Sequence, residues 1–390
     1  INKISTMINY GKQSINQEDI DSVIEILQSD YLTQGPTVPK FEALVSEYCG
    51  SKHAIGTNSA TSSLHIACMA LELGPGDLLW TSPNTFVASS NAALYCGAMV
   101  DFVDIDKDTY VMSPQALEEK LIIAKKNKTL PKAVMPVHLC GQSAQMKEIY
   151  ELSQKYNFKI IEDASHAIGG KYDGDYVGSC KYSDIAVFSF HPVKIITTGE
   201  GGMNLTNDSD LYERRQKHRS HGITSNPLHM HSRPSNEIWN YQQTSIGHNY
   251  RMTDISAALG VSQLKRIKSF ISRRTEIASI YDDAFSNTDL ITPYQHPDTN
   301  SSYHLYPIRV NNKKNNQQSV YKHLMDSGIN VNLHYIPVYL QPYYYDLGFR
   351  RGHCPEAEKY FTEAISIPIY PDLSKSDQDM VIDLILNILK

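Results

Sequence analysis

The chain has 390 residues, of which 41% are hydrophobic and 20% charged, which is ordinary for a globular protein with one large core and a smaller one. Its net charge of −6 provides no general positive field that would attract nucleic acid or an anionic membrane. No apolar run approaches the roughly 20 residues of a membrane helix, and no charged-then-apolar leader opens the chain. We therefore expect neither nucleic acid nor a membrane as a partner.

The six cysteines are widely scattered and include no C-x-x-C pair. In a chain of this length that pattern favours buried free thiols over disulfides, and a cytoplasmic location. The His-Met-His stretch at 229–231 has no further ligands near it in sequence, which favours a polar loop over a metal site. Residues 1–6 precede Met7, and one interpretation is that they are a remnant of cloning.

The first periodic segment is residues 16–29, which we predict to be an amphipathic helix with Asn16 as its N-cap. Its apolar side chains recur at helical spacing, at Ile20, Val23, Ile24 and Leu27. A second helix is predicted over 61–73, ending at a Gly-Pro-Gly-Asp turn.

Short, nearly continuous apolar segments separated by helical or loop material follow along the chain. They predict strands over 78–83, 98–105, 132–139, 158–163 and 184–190. Such a pattern is typical of a mostly parallel α/β sheet covered on both faces, in which ligands gather at the carboxyl ends of the strands.

Residues 253–285 have helical periodicity and are interpreted as the connection to a second, smaller α+β domain. The predicted organisation is an N-terminal segment at 1–15, a large domain at 16–252, and a linker helix with a small C-terminal domain at 253–390. The polar stretch at 310–319 is interpreted as a solvated loop that enters a helix.

Three residues with charged or reactive side chains lie at or just beyond predicted strand ends: Asp163, Ser189 and Lys194. A buried carboxylate beside a buried lysine is costly unless each has a partner. Pyridoxal phosphate would supply those partners, because lysine forms a Schiff base with its aldehyde and an acid pairs with its pyridinium nitrogen. On these three residues alone, a structural aspartate and a surface lysine remain the alternative.

A phosphate group would need a cluster of donors, and residues 58–67 provide small side chains at the predicted start of a helix. The N–H groups of Ala60 and Thr61 would bind the phosphate there, and Ser189 would add a hydroxyl. Phe86, just past another predicted strand, could cover the face of the cofactor ring. Taken singly, a capped helix and a core aromatic are the commoner interpretations.

Nine motifs in a fixed order resemble the DegT-type sugar-nucleotide aminotransferases, which have fold type I of the pyridoxal phosphate enzymes. They extend from about Tyr10 to the C-terminus and include YLTQGP, NSATSSL, EDASHAIGG, SFHPVKIITTGEGG, IGHNYRMTDISAALG and LHYIPVYLQPYY. Within that family the chain is most similar to the aminotransferases of pseudaminic acid biosynthesis, with which it also shares HLYPI. The enzymes that aminate UDP-4-keto-arabinose are the nearest alternative.

The resemblance implies roles for individual residues around the cofactor. Lys194 would form the Schiff base, Asp163 would pair with the pyridinium nitrogen, and His166 would lie near the phenolic oxygen of the cofactor. Asn249 would reach the phosphate from a neighbouring subunit, which implies a homodimer with shared active sites. Phe86, Ala60, Thr61 and Ser189 match the ring-stacking and phosphate positions, and the implied substrate contacts are Tyr10, Asp30, Tyr31, Leu32, Thr33, Arg251, Asn332, Leu333, His334 and Tyr335.

The implied reaction moves an amino group from glutamate, through pyridoxamine phosphate, to the 4-keto carbon of a UDP-linked 4-keto-6-deoxy-N-acetylhexosamine. This is the activity of a UDP-4-amino-4,6-dideoxy-N-acetyl-β-L-altrosamine transaminase. Family members that dehydrate the sugar carry histidine where this chain has Lys194, which favours the aminotransferase interpretation. Cys140 departs from the tyrosine common in relatives, and would either reshape the sugar pocket or only pack.

Three other classes of protein are weaker alternatives. A nucleotide-binding oxidoreductase would need G-x-G-x-x-G after its first strand, which is absent here. A catalytically inactive protein of the same fold conflicts with the presence of Lys194, Asp163 and the phosphate-binding residues. A lyase or desulfurase would not explain the two stretches at 31–36 and 249–252 that resemble sugar-nucleotide enzymes.

Overall fold

The computed structural model describes residues 7–232, 237–311 and 316–389, so the interpretation of residues 1–6 and part of the loop predicted at 310–319 lie outside the described residues. The helices are α1 (Gln17–Leu27), α2 (Thr37–Cys49), α3 (Ala60–Ala70), α4 (Ala88–Tyr95), α5 (Pro114–Asn127), α6 (Met146–Tyr156), α7 (Ser209–Arg219), α8 (Asp254–Lys265), α9 (Ile267–Phe285), α10 (Gln317–Asp326), α11 (Pro342–Asp346), α12 (Pro355–Glu363) and α13 (Lys375–Leu389). The strands are β1 (His53–Thr57), β2 (Leu78–Thr81), β3 (Met99–Phe102), β4 (Ala133–Met135), β5 (Lys159–Asp163), β6 (Lys171–Tyr172), β7 (Asp175–Tyr176), β8 (Ile185–Ser189), β9 (Gly202–Thr206), β10 (Ile223–Thr224), β11 (Gln242–Gln243), β12 (Thr299–Asn300), β13 (Tyr306–Arg309) and β14 (Ala364–Ile367).

The largest sheet has seven strands in the order β1-β9-β8-β5-β4-β2-β3. Strands β3, β2, β4, β5 and β8 run parallel to one another, which confirms the predicted mostly parallel α/β sheet. Strand β9 runs antiparallel to both β8 and β1. Neither β1 nor β9 was predicted from the sequence. Every residue of β8 and β9 is buried, as expected for central strands covered on both faces.

Helix α1 begins where predicted, because the Asn16 side chain accepts from the amide of Asp19 and the Asp19 side chain accepts from the amide of Asn16. Its orientation is the reverse of what its apolar pattern suggests. Asp19 is buried against α8, where its carboxylate accepts from Gln263 at 2.7 Å and pairs with Arg266. The side chains of Ile20, Ile24 and Leu27 are therefore exposed on this chain.

The helical stretch predicted at 253–285 consists of two helices, α8 and α9, which join at Arg266. Helix α9 packs with α10, α13 and the antiparallel pair β13–β14 around a separate hydrophobic cluster. Ile8, near the start of the chain, joins that cluster and bridges to Ile329. The domain bounds predicted from the sequence stay a prediction.

The six cysteines are free, and five of them are buried, in agreement with the prediction of free thiols. Among the helices that the structure describes, none combines the length and the apolar character needed to cross a bilayer.

Candidate active site

The carboxyl ends of two adjacent parallel strands bring the site together. Strand β5 ends at Asp163 and β8 ends at Ser189, and the two strands are paired in the sheet. Helix α3 begins beside them at Ala60. A cavity of about 690 Å³ opens at this edge. Twelve of the residues predicted from the sequence line it: Tyr10, Ala60, Thr61, Phe86, Asp163, His166, Ser189, Lys194, Asn332, Leu333, His334 and Tyr335.

Lys194 is held in the cavity by the loop that follows β8. The loop is closed by hydrogen bonds from the Thr198 amide and the Thr197 hydroxyl to the Phe190 carbonyl, at 3.0 and 2.9 Å. The buried side chains of Ile195 and Ile196 anchor the segment just beyond the lysine. Burial lowers the pKa of Lys194 to about 8, although the negative charge of Asp163 opposes this shift. The amine is therefore neutral in a substantial fraction of molecules near physiological pH.

Asp163 is buried, and both oxygens of its carboxylate accept hydrogen bonds. One oxygen accepts from the Ser89 hydroxyl at 2.6 Å, and the other accepts from the amide and the hydroxyl of Ser165 at 3.2 and 2.6 Å. These donors orient the carboxylate at the cavity wall, where it can pair with a cationic ring nitrogen. Ser89 and Ser165 were not predicted from the sequence, because their contacts with Asp163 depend on the packing of α4 and on the turn after β5.

The start of α3 forms the anion-binding part of the cavity. Ser59 caps the helix by accepting from the Ser62 amide at 3.1 Å, so the amides of Ala60 and Thr61 are left without acceptors inside the helix. Free amides at a helix start attract a phosphate. Gly202 of β9 pairs with Ser189, and a Cβ atom there would lie 2.5 Å from the Ser59 carbonyl oxygen. Glycine at this position is thus required for the strand to approach the helix start.

His166 is a buried, neutral imidazole. Its Nδ1 accepts from the Cys140 amide at 3.3 Å, so the ring proton belongs on Nε2, which lies 3.4 Å from the Tyr335 hydroxyl. Burial and then the positive charge of Lys194 hold the pKa of His166 well below its ordinary value. Cys140 contributes its backbone here, whereas its side chain packs in the core and is absent from the main cavity wall.

One cavity residue that the sequence analysis did not assign is His304, whose ring centroid lies 4.3 Å from that of His166. It is the first residue of the HLYPI motif, 110 residues after Lys194 in the chain. The shared motif was the signal that could have identified it.

Six predicted residues do not line this cavity. Asn249 and Arg251 lie in a segment that bridges to Ser220 and Thr57, and Thr33 bridges to Thr253 in the same region. The remaining three are Asp30, Tyr31 and Leu32, which are exposed beside Thr33. The two segments thus adjoin each other outside the main cavity of the chain.

The residues present fit pyridoxal phosphate. The cavity places an amine with a lowered pKa, a buried carboxylate and a helix start with free amides around one space. Phe86 is 60% exposed and lines the cavity, so its ring is available to cover a flat ligand. Each chemically distinct part of the cofactor therefore has a matching group.

Comparisons with known proteins agree with this geometry. The profile of the DegT/DnrJ/EryC1/StrS aminotransferase family matches residues 13–386. The chain is 38% identical to the UDP-4-amino-4,6-dideoxy-N-acetyl-beta-L-altrosamine transaminase of Campylobacter jejuni, covering 98% of each sequence. It is 37% identical to the spore coat polysaccharide biosynthesis protein SpsC of Bacillus subtilis, covering 100% of this chain and 99% of that protein.

A solved structure is also similar over the whole chain. Helicobacter pylori PseC, described as an aminotransferase involved in the biosynthesis of pseudoaminic acid, matches with a TM-score of 0.89 at 31% identity. The match covers 98% of this chain and 99% of that one. The fold is accordingly fold type I of the pyridoxal phosphate enzymes, as the sequence predicted. The chain belongs to the DegT/DnrJ/EryC1/StrS family and is a pyridoxal-phosphate-dependent sugar aminotransferase.

Proposed function

We propose that this enzyme transfers the amino group of glutamate to the 4-keto carbon of a UDP-linked 4-keto-6-deoxy-N-acetylhexosamine, as a UDP-4-amino-4,6-dideoxy-N-acetyl-β-L-altrosamine transaminase of pseudaminic acid biosynthesis. The observation that carries the proposal is that Lys194, with its lowered pKa, and Asp163 line the same cavity of about 690 Å³. The name of the Campylobacter relative supports the choice of sugar. The alternative substrate is UDP-4-keto-arabinose, which has a smaller sugar.

The chemistry is divided among residues of this chain and the cofactor. When bound, pyridoxal phosphate supplies an aldehyde that accepts the amino group and a ring that delocalises the electron pair left by the departing α-proton. Lys194 would hold the aldehyde carbon through Nζ and, once displaced by the donor amine, carry the proton from the donor's α-carbon. Asp163 would keep the ring nitrogen protonated. His166 would donate from Nε2 to the phenolic oxygen.

The other residues of the cavity wall would bind and orient the cofactor and the substrate. The amides of Ala60 and Thr61 and the Ser189 hydroxyl would hold the phosphate, and Phe86 would cover the ring face. Tyr10 and the segment at 332–335 line the cavity, which supports their proposed contact with the sugar nucleotide. In that segment the His334 ring is oriented by a 2.8 Å hydrogen bond to the Ser366 hydroxyl.

We further propose a homodimer in which each active site takes residues from both copies. Asn249, Arg251 and residues 30–33 adjoin one another outside the cavity of their own chain, as expected if they complete the cavity of a partner. An arginine fork suits the diphosphate of a sugar nucleotide. The exposed Ile20, Ile24 and Leu27 of α1 form an apolar surface that a second copy could cover. The free thiols support a reducing, cytoplasmic location.

The donor half-reaction can be tested separately from the sugar half-reaction. Adding glutamate to the cofactor-loaded enzyme should replace the absorbance band of the lysine-bound cofactor with that of pyridoxamine phosphate. Lys194→Ala should show no such change and should have no turnover. Persistent turnover in that variant would exclude the proposed role of Lys194.

The sugar half-reaction decides between the two substrates. The enzyme in its pyridoxamine form is mixed with UDP-4-keto-6-deoxy-N-acetylhexosamine or with UDP-4-keto-arabinose, and the amino sugar is measured by mass spectrometry. We expect at least tenfold higher kcat/KM for the hexosamine, because contacts to its additional groups are each worth about 1–3 kcal/mol. A preference for the pentose would instead support the alternative.

A further inference from the structure

His304 combines deep burial with an unpartnered ring nitrogen. The residue is 4% exposed, and its Nδ1 has no hydrogen-bond partner among the described residues. The ring nevertheless lies in the wall of the cavity that contains Lys194. Nδ1 itself is closed off from the cavity, whereas Nε2 is neither closed off nor hydrogen-bonded to a described residue, so Nε2 is the ring atom that can reach a ligand.

The surroundings of His304 favour a negatively charged or strongly accepting group. Arg274, itself buried, donates to the His304 carbonyl at 3.2 Å and to the Tyr303 carbonyl at 3.1 Å. The rings of His166 and His334 face the same cavity, as does the amine of Lys194. Burial, followed by the neighbouring His166, Lys194 and Arg274, holds the pKa of His304 well below its ordinary value. The imidazole is therefore neutral and can act as a hydrogen-bond donor to an anion.

The place of His304 in the cavity limits which anion it can meet. The cofactor's phosphate is assigned to the start of α3, and the diphosphate of a sugar nucleotide is separated from the reacting carbon by the sugar ring. The α-carboxylate of the amino donor, in contrast, is bonded directly to the carbon whose proton Lys194 removes. It must therefore lie close to Lys194 and to the imidazoles beside it.

We propose that His304 is a substrate-binding residue that donates a hydrogen bond to the α-carboxylate of the amino donor. Arg274 anchors the backbone of the segment that carries His304, and the His304 ring packs against that of His166, with centroids 4.3 Å apart. The inference rests on the proposed function, since it assumes an α-amino acid as donor. It assigns donor recognition to a residue that lies far from Lys194 in sequence.

The test compares two ligands that differ in the α-carboxylate. One is 2-methylglutamate, which binds as an amino acid but has no α-proton to lose; the other is 4-aminobutyrate, which lacks the α-carboxylate. Their apparent dissociation constants are measured by calorimetry on the cofactor-loaded enzyme. His304→Met should weaken 2-methylglutamate binding by about 10- to 100-fold, the loss expected for a hydrogen bond to a charged group. Binding of 4-aminobutyrate should change less than threefold.

Two further variants separate binding from packing. His304→Gln has nearly the shape of the methionine variant but can still donate a hydrogen bond, so it should recover at least part of the affinity for 2-methylglutamate. His323 of α10 also has a buried ring nitrogen without a partner but lies outside the cavity, and His323→Met should leave both ligands unaffected. Cofactor absorbance and the thermal midpoint check that each variant is folded and loaded.

The inference is overturned if His304→Met weakens both ligands equally, if it weakens neither, or if glutamine recovers nothing. Failure of the proposed function gives a different result. In that case the wild-type enzyme itself would not form pyridoxamine phosphate from glutamate. If the wild-type enzyme converts glutamate normally but the His304 variants bind 2-methylglutamate as well as the wild type does, only the role of His304 is excluded.

Discussion

The lowered pKa of Lys194 leads to a quantitative prediction about cofactor capture. Burial brings the pKa from 10.5 to about 8, while Asp163 pulls it in the opposite direction. At pH 8 about half of the Lys194 amines are then neutral, whereas an ordinary lysine would be neutral in about 0.3% of molecules. The reactive fraction is thus about 150-fold larger than for an exposed lysine.

Because only the neutral amine attacks an aldehyde, the rate of capture should follow its titration. We expect the capture rate of cofactor-free enzyme to rise about tenfold per pH unit below pH 7 and to level off above a midpoint near 8. The assay is stopped-flow absorbance after mixing with pyridoxal phosphate between pH 6 and 10. Lys194→Ala provides the background rate.

The Asp163→Asn variant tests the cause of the shift. The Asp163 carboxylate raises the pKa of Lys194, so removing that carboxylate should move the midpoint of the capture rate below pH 8, even though cofactor binding is weakened. If burial were not the dominant cause, the wild-type midpoint would lie near 10.5. A midpoint there, or one that rises in Asp163→Asn, would refute the reasoning.

Two further predictions concern the phosphate site and the shared active site. Gly202→Ala would place a methyl group 2.5 Å from the Ser59 carbonyl oxygen, and we expect at least a tenfold loss of pyridoxal phosphate affinity in a fluorescence titration. The control is Gly74→Ala, because a Cβ atom at that position meets nothing within 4 Å. Unchanged affinity in Gly202→Ala would contradict the close approach of β9 to the start of α3. Lys194→Ala and Arg251→Ala should each be inactive, but co-refolded copies should recover about a quarter of wild-type activity, because half of the dimers contain one intact site. No recovery would argue against sites shared between subunits.

The sequence by itself determined the features that depend on neighbours in the chain. The alternation of apolar segments predicted the parallel sheet, because strands buried on both faces must be apolar throughout. Asp163, Ser189 and Lys194 could be grouped because parallel strands end at one edge of a sheet. The cap of α1 at Asn16 was also predictable, since it needs only the amides of the first turn.

The tertiary structure decided what depends on distant segments. Helical periodicity located the apolar face of α1, but the ion pair between Asp19 and Arg266 determined that this face is exposed. The requirement for glycine at position 202 became clear only from β9, the antiparallel strand that packs against the start of α3. His304 reaches the cofactor cavity only because the segment before β13 folds back beside His166. Periodicity reports which side chains could be buried, whereas the partner that buries them is set by long-range packing.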